Sequence, residues 1–338
     1  MLLNKSNHTL NDKKNFLVTG GAGFIGSHFV DMILKESHNV VVLDCLSYSS
    51  QPHFLPQDKM TLITGDICND KVVENILNKY NIDYIVNFAA ETHVDQSIEN
   101  PKKFIDTNVC GTYILLKEAY EYYKKKNFPA TFRFLQVSTD EVYGSLSEKG
   151  YFSEKSRIDP RSPYSASKAS SDHLVNAWFH TFNMPIIITR CSNNFGPRQH
   201  QEKLIPRAIY SALNEISIPL YGNGKNIRDW MYVEDHCRGL YLALQNGKVG
   251  ETYCFGGEQE KENLDLVLLI CKILDELIPR KNGKSYKELV EFVTDRLGHD
   301  FRYAIDNSYA KKMLGFSVGK DFEDNLRKTV KWYVDIFQ

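Results

Sequence analysis

The stretch Phe16-Leu17-Val18-Thr19-Gly20-Gly21-Ala22-Gly23-Phe24-Ile25-Gly26-Ser27 decides how the rest of this 338-residue chain is read. Phe16 to Thr19 has the pattern of a short buried strand, and it runs straight into a glycine cluster. Beyond the cluster, Ile25, Phe29, Ile33 and Leu34 fall on one side of a helix. Glycines between a strand and a helix permit a tight turn, close backbone approach to a pyrophosphate, and tight helix-on-strand packing. The helix end then offers free N–H groups and the positive end of its dipole to a phosphate. Gly20, Gly23, Phe24, Ile25 and Gly26 are therefore candidates for holding a dinucleotide. A GxGxxG pattern alone is weak, and its setting adds the weight. The next apolar run, Val40-Val41-Val42-Leu43, ends in Asp44, 18 residues past Gly26. An acid there suits the adenosine ribose hydroxyls and repels a 2′-phosphate, so NAD is expected over NADP. In Gly65-Asp66-Ile67, Asp66 with Ile67 suits the adenine edge, and a plain strand-end cap is the alternative.

Further apolar runs follow at 60–63, 84–88, 132–137 and 186–189, with helical stretches at 69–80, 106–126 and 164–182. Strands without polar alternation are buried on both faces, and their alternation with helices implies a parallel, doubly wound sheet. After about residue 190 the rhythm changes to Asn-, Gly-, Pro- and Arg-rich sequence and then to mixed helices and short strands. The expected fold is thus α/β: a Rossmann-type doubly wound parallel sheet with a smaller, mixed α/β C-terminal substrate-binding domain. We place the cofactor domain at 12–190, with 229–256 returning to it. Residues 191–338 are assigned mainly to the second domain. Trp230–Leu244 and Thr252–Phe255 read as the returning helix and strand.

Composition excludes more than it identifies. With 41 basic and 42 acidic residues the formal charge is −1, which argues against a dedicated nucleic-acid binder. No apolar run is long enough to span a membrane. The seven cysteines are scattered and odd in number, without CxxC spacing, and read as reduced thiols buried in a cytoplasmic protein. No metal site is expected. The polar start, residues 1–15, lacks the apolar core of a signal peptide and reads as a lead-in to the first strand.

A second constellation carries chemistry. Ser138-Thr139-Asp140-Glu141-Val142-Tyr143-Gly144 follows the strand 132–137. Two adjacent carboxylates flanked by hydroxyls are costly in a core and useful in a cleft. Downstream, Tyr164-Ser165-Ala166-Ser167-Lys168 opens a helix, and its i,i+4 spacing puts Tyr164 and Lys168 on one face. An ammonium beside the phenol would favour phenolate, making the pair a base and ribose clamp for hydride transfer.

With these residues in place the chain resembles the extended short-chain dehydrogenase/reductases, and within them the dTDP-glucose 4,6-dehydratases. The likeness runs from about Asn15 to Trp332 through TGGAGFIGS, NFAAETHVD, STDEVYG, YSASK, RCSNNFGP, EKLIP, NIRDWMYVEDH and VTDRLGHDFRYAID. Asp140-Glu141 is the discriminating feature, because related epimerases usually lack it. The resemblance implies that Tyr164 takes the 4-hydroxyl proton as C4 gives hydride to NAD. Glu141 then removes the C5 proton, and Asp140 protonates the departing 6-hydroxyl. Hydride returns to C6, and Thr139 supports the C4 oxygen. It further implies that Ala89 and Ala90 lie beside the nicotinamide, that Asn108 belongs among the cofactor contacts and supports the active-site backbone, and that Thr92 and His93 approach the sugar. For His93 a structural hydrogen bond is the alternative. Asn194, Lys203, Leu204, Arg228, Asn263, Arg296 and His299 match positions that hold the nucleotide diphosphate. In this family the helices equivalent to 106–126 and 164–182 form a dimer's four-helix bundle, so a homodimer is expected, unless both faces simply pack on the sheet. Departures from the family pattern are Gln96, the segment 196–201, and Ser49-Ser50-Gln51. The rivals are UDP-glucose as substrate, a nucleotide-sugar epimerase, and a non-catalytic NAD-binding sensor.

Overall fold

The computed structural model describes residues 13–337, so residues 1–12 of the expected lead-in, and residue 338, lie outside the described residues. Strands β1 (Asn15–Thr19), β2 (Asn39–Asp44), β3 (Thr61–Thr64), β4 (Tyr84–Asn87), β5 (Arg133–Thr139) and β6 (Ile186–Cys191) follow one another along the chain. Next, β7 (Asn193–Phe195), β8 (Ile218–Tyr221) and β9 (Ile227–Tyr232) leave the sheet, and β10 (Thr252–Phe255) returns to it. The short β11 (Glu260–Glu262) and β12 (Val290–Val293) follow. The main sheet has the order β10-β6-β5-β4-β1-β2-β3, and every pairing in it is parallel. Val18 lies between Val42 and Val86, three β-branched residues buried side by side in the register. Chain order reverses between β1 and β4, which opens a crevice at their carboxyl ends. The small sheets are β11-β9-β7 and β12-β8.

Helices cover both faces. On one side pack α1 (Phe24–Lys35), α8 (Val233–Asn246) and α10 (Ser308–Leu314), around Phe16, Val18, Val42 and Val86. On the other lie α2 (Asp70–Tyr80), α5 (Thr112–Lys125) and α6 (Pro163–Phe182), around Leu17, Val41, Ile85 and Ile186. A separate apolar core joins α7 (Leu204–Leu213), α9 (Asn263–Leu277) and α11 (Phe322–Phe337) with β8. No helix of the described residues is long and apolar enough to cross a membrane.

Four expectations change. The stretch read as one helix over 106–126 is instead α4 (Pro101–Phe104), a π-helical turn at Ile105–Gly111, then α5, with the short α3 (Val94–Glu99) just upstream. The wider turn carries Asn108, which is buried. Within Trp230–Leu244 the first three residues finish β9, and the helix starts at Val233, because Trp230 and Met231 pair with Asn193 and Asn194. Residues Ala310, Leu314 and Phe316 join the core of the main sheet, a return that the mixed pattern of the C-terminal region did not signal. The cysteines also divide: Cys191, Cys237, Cys254 and Cys271 are buried, but Cys45 and Cys110 are exposed.

Helix α6 starts where the chemistry needs it. Ser162 caps it through a reciprocal bond with Ser165, and Pro163 occupies its first turn. Two turns in, Asp172 meets Arg190 of β6 at 2.9 Å, both buried, and Arg190 also donates to the Tyr143 hydroxyl at 2.8 Å. Removing one partner strands a buried charge, so Asp172→Ala is expected to cost about 3–5 kcal/mol in urea unfolding. A loss within the error of the measurement would show that the pair does not hold α6 on the sheet.

Candidate active site

The crevice at the reversal point is one cleft of about 850 Å³. Its floor depends on a missing side chain. Gly20 has φ +68°, and a Cβ there would stand 2.7 Å from the Ala89 nitrogen, so the turns after β1 and β4 close together only around glycine. A Cβ on Gly26 would strike the Gly20 carbonyl oxygen. Gly23 precedes α1 in extended conformation, and no side chain caps the helix, which leaves its first N–H groups available to an anion. Gly20, Gly23, Phe24, Ile25 and Gly26 all line the cleft. Asp44 lines it too, while its carboxylate accepts from Ala22 N (2.9 Å), Leu46 N (2.9 Å) and the Ser50 hydroxyl (2.8 Å). The acid at the end of β2 thereby shapes the glycine turn while lining the cleft. Asp66 accepts from Cys68 N at 2.8 Å, the strand-end cap, and with Ile67 it also lines the cleft. Ala89 and Ala90 complete this wall. The cradle, the uncapped helix end and the acid at β2 together fit a dinucleotide.

Asn108 differs from its expected place among cofactor contacts. It is absent from the cleft wall; its amide accepts from Glu91 N (2.8 Å) and donates to Glu91 O (3.1 Å) and the Ser167 hydroxyl (2.8 Å). It fixes backbone after β4 and ties it to α6, which makes it a positioning residue.

Thr139, Glu141, Tyr164 and Lys168 line the cleft together at the end of β5 and the start of α6. Asp140 stands behind the wall, 2% exposed, and its Oδ2 has no hydrogen-bond partner. Burial, then Glu141 and Asp229, hold the Asp140 carboxyl well above its ordinary value. Burial also raises Glu141, while Arg228, Lys203 and Arg296 pull it back. The expected depression of the tyrosine is not found. Burial, Glu141, Cys191 and Asp140 push the Tyr164 phenol well up, against a smaller pull from the Thr139 hydroxyl. Lys168 instead donates to the Val137 carbonyl at 2.8 Å, and its own value is lowered by burial. Burial above all, and then the nearby carboxyls, set the phenol's value, while the Lys168 ammonium is turned to the strand.

At the far end of the cleft lie Thr92, His93, Asn194, Lys203, Leu204, Arg228, Asn263, Arg296 and His299. Lys203 donates to the Thr92 carbonyl at 3.0 Å. Leu204 and Asn263 open α7 and α9, neither capped by a side chain, so two more helix N-termini abut this end. Arg228 lies over the Tyr303 ring at 4.4 Å and donates to the carbonyls of Ile227, Asp300 and Phe301. His93 caps α3 by accepting from Gln96 N at 3.3 Å, so the structural bond is present alongside its place on the wall. Behind Asn194 sits His236, fully buried, its Nδ1 3.0 Å from the amide oxygen and its value lowered to about 3 by burial. His299 meets Asp295 at 2.6 Å.

Several cleft residues escaped the sequence. Asp95 pairs with Arg296, and Glu202 gathers Tyr48, His93 and His200 around it. Asp95 lies inside the quoted NFAAETHVD and Glu202 beside Lys203, so adjacency to a named residue was the available signal. The two unusual segments also prove to be neighbours: Gln51 donates to the Arg198 carbonyl at 2.8 Å, and the Tyr48 ring stands edge-on to His200.

Comparison with known proteins agrees with this geometry. Residues 17–329 match the family model described as GDP-mannose 4,6 dehydratase. The dTDP-glucose 4,6-dehydratase of Xanthomonas campestris pv. campestris is 47% identical over 94% of this chain and 93% of its own length. Among solved structures, the dTDP-glucose 4,6-dehydratase DesIV of Streptomyces venezuelae, with NAD and TYD bound, superposes with a TM-score of 0.86 at 40% identity. That match covers 95% of this chain and 97% of the other. The corresponding enzyme of Bacillus anthracis, in complex with NAD, gives 0.83 at 42%, with the same coverage. Glycine cradle, paired carboxyls, Tyr164 and Lys168 therefore occur here in a chain that belongs to the GDP-mannose 4,6-dehydratase family of extended short-chain dehydrogenase/reductases, in its dTDP-glucose 4,6-dehydratase branch.

Proposed function

We propose that Thr139, Asp140, Glu141, Tyr164 and Lys168 perform a dehydration on a nucleotide-activated glucose held in this cleft. The activity is NAD-dependent 4,6-dehydration of dTDP-glucose to the 4-keto-6-deoxy sugar. The observation that carries the catalytic reading is the placing of two differently tuned carboxyls beside Tyr164, at the mouth of the cofactor cradle. An epimerase needs only the redox half of this set. Eliminating water needs a proton acceptor and a proton donor as well.

Bound NAD supplies the hydride acceptor for C4, the donor for C6, and a positive charge while oxidised. The N-terminus of α1 would hold its pyrophosphate, and Asp44 would take the ribose. Tyr164 accepts the 4-hydroxyl proton, with Thr139 steadying the same oxygen. The raised value of the phenol means that it gives up its own proton only when positive charge is close, as the oxidised cofactor would bring it, while Lys168, bonded to the Val137 carbonyl, would hold the cofactor ribose beside it. Once C4 is a ketone, the C5 proton is acidic. Glu141 removes it, aided by the three cations that favour its ionised form. Burial and Glu141 favour the protonated form of Asp140, which would donate to the leaving 6-hydroxyl. Lys203, Arg228, Arg296 and the ends of α7 and α9 hold the diphosphate. Asn194, Asn263 and His299 bound the same end of the site. Thr92 and His93 face the sugar.

The sheet-centred residues to about 190, with 229–256 and 308–316, form the cofactor domain, and the rest of 191–337 forms mainly the nucleotide-sugar domain. The chain works as a homodimer in the cytoplasm. Its dimer face is an aromatic strip on α5 and α6, where Tyr113 and Phe182 are 44% and 40% exposed, Tyr113 meeting Trp178 edge-on and Phe182 meeting Tyr120 at a tilt. Seven unpaired thiols suit a reducing compartment.

Purified protein given dTDP-glucose, without added NAD, is expected to form the 4-keto-6-deoxy product. With UDP-glucose, turnover should be weaker by about 10–200-fold, the range that one methyl contact provides. No product from either sugar would overturn the dehydratase reading. In Lys203→Met one cation that lowers Glu141 is gone, so Glu141 ionises at higher pH. The acidic limb of the kcat/KM profile should then move to higher pH, and an unmoved limb would remove Glu141 as the titrating base.

A further inference from the structure

Asp95 is the second residue of α3, on the cofactor side of the cleft, and Arg296 belongs to the loop after β12 on the opposite side. The two meet as a fork: Arg296 Nε donates to Oδ1 at 2.5 Å and Nη2 to Oδ2 at 3.0 Å. Tyr221, the last residue of β8, donates its hydroxyl to the same Oδ2 at 3.3 Å. Its ring also lies under the guanidinium, 5.2 Å from centroid to carbon. Two side chains from two separate segments thus fix one arginine in one orientation.

Both bonds to Asp95 use the Nε–Nη2 edge. Nη1 has no protein hydrogen-bond partner among the described residues, and Arg296 lines the cleft close enough for its charge to act on Glu141 and Lys203. A guanidinium presents five N–H donors in a rigid fork, so one edge can be anchored while the other receives an anion. An arginine on a loop without such an anchor loses rotamer freedom each time it binds.

We propose that Asp95 is a positioning residue for substrate binding: it anchors Arg296, with Tyr221 beneath, so that the free edge meets the diphosphate of the nucleotide sugar. This rests on the reading of Arg296 as a diphosphate contact. Asp95 does not itself touch the ligand. Its carboxylate would repel one, and it acts only through the arginine.

Calorimetric titration of dTDP into the NAD-loaded enzyme tests this with four proteins: wild type, Asp95→Asn, Arg296→Ala and the double variant. Asp95→Asn keeps the shape of the side chain but removes the charge and sets an N–H donor against the arginine. It should weaken dTDP binding by about tenfold, the loss of one charge-assisted bond. It should also raise KM for dTDP-glucose while leaving kcat within about twofold, a split that general loosening of α3 would not produce. Arg296→Ala should weaken binding at least as much, and the double variant should bind no worse than Arg296→Ala alone. If Asp95→Asn binds dTDP like wild type, or the two losses multiply in the double variant, Asp95 does not act through Arg296. If Arg296→Ala binds dTDP like wild type, the diphosphate reading of Arg296 is what fails.

Discussion

The contact on which the rest depends is the one between the turns after β1 and β4. Gly20, with its positive φ, lets the backbone at Ala89 come within a distance that no side chain permits. That closeness shapes the crevice where strand order reverses, and it sets α1 with its uncapped end over it. Everything chemical is then arranged around this crevice: β2 brings Asp44, β4 leads to Ala89 and Thr92, and β5 ends in Thr139 and the two acids. Asn108, from its π-helical turn, holds the Glu91 backbone in place and joins it to α6.

Electrostatics explain how a chain of formal charge −1 handles two diphosphates and a pair of acids. Broad basic surface is not needed when three helix N-termini and a few cations, Arg228 buried and Lys203 and Arg296 half-buried, converge on one cleft. The same cations have a second effect. Arg228, Lys203 and Arg296 favour the ionised form of Glu141, while burial and the neighbouring Glu141 push Asp140 toward its protonated form. In the proposed mechanism, groups that hold the substrate therefore also bear on the acid–base division of labour. Holding the diphosphate and tuning the base are coupled through the same charges.

Much of this was legible in the sequence because it depends on spacing. The strand–glycine–helix stretch at 16–27, Asp44 at the next strand end, and the Tyr164–Lys168 spacing each fix a local geometry that tertiary structure has little freedom to change. What could not be read depends on partners distant in sequence. Asp95 and Arg296 lie 201 positions apart, and nothing local to either one announces the pair. The effect of Lys168 on Tyr164 was misjudged for the same reason. The i,i+4 rule places two residues on one face, but the Val137 carbonyl from β5 decides where the ammonium points. The π-helical turn around Asn108 and the return of Ala310, Leu314 and Phe316 to the main core likewise follow from long-range packing, which periodicity does not encode.

One cleft is claimed to carry out oxidation at C4, loss of water, and return of the same hydride to C6 without releasing the cofactor. The direct test is to follow deuterium from dTDP-[4-²H]glucose mixed with unlabelled dTDP-glucose, reading the product by mass spectrometry and NMR. The account predicts that the label moves from C4 to C6 of the same sugar molecule, with no exchange into the unlabelled pool and no NADH in solution. Loss of the label to solvent, or its appearance in the unlabelled sugar, would contradict it.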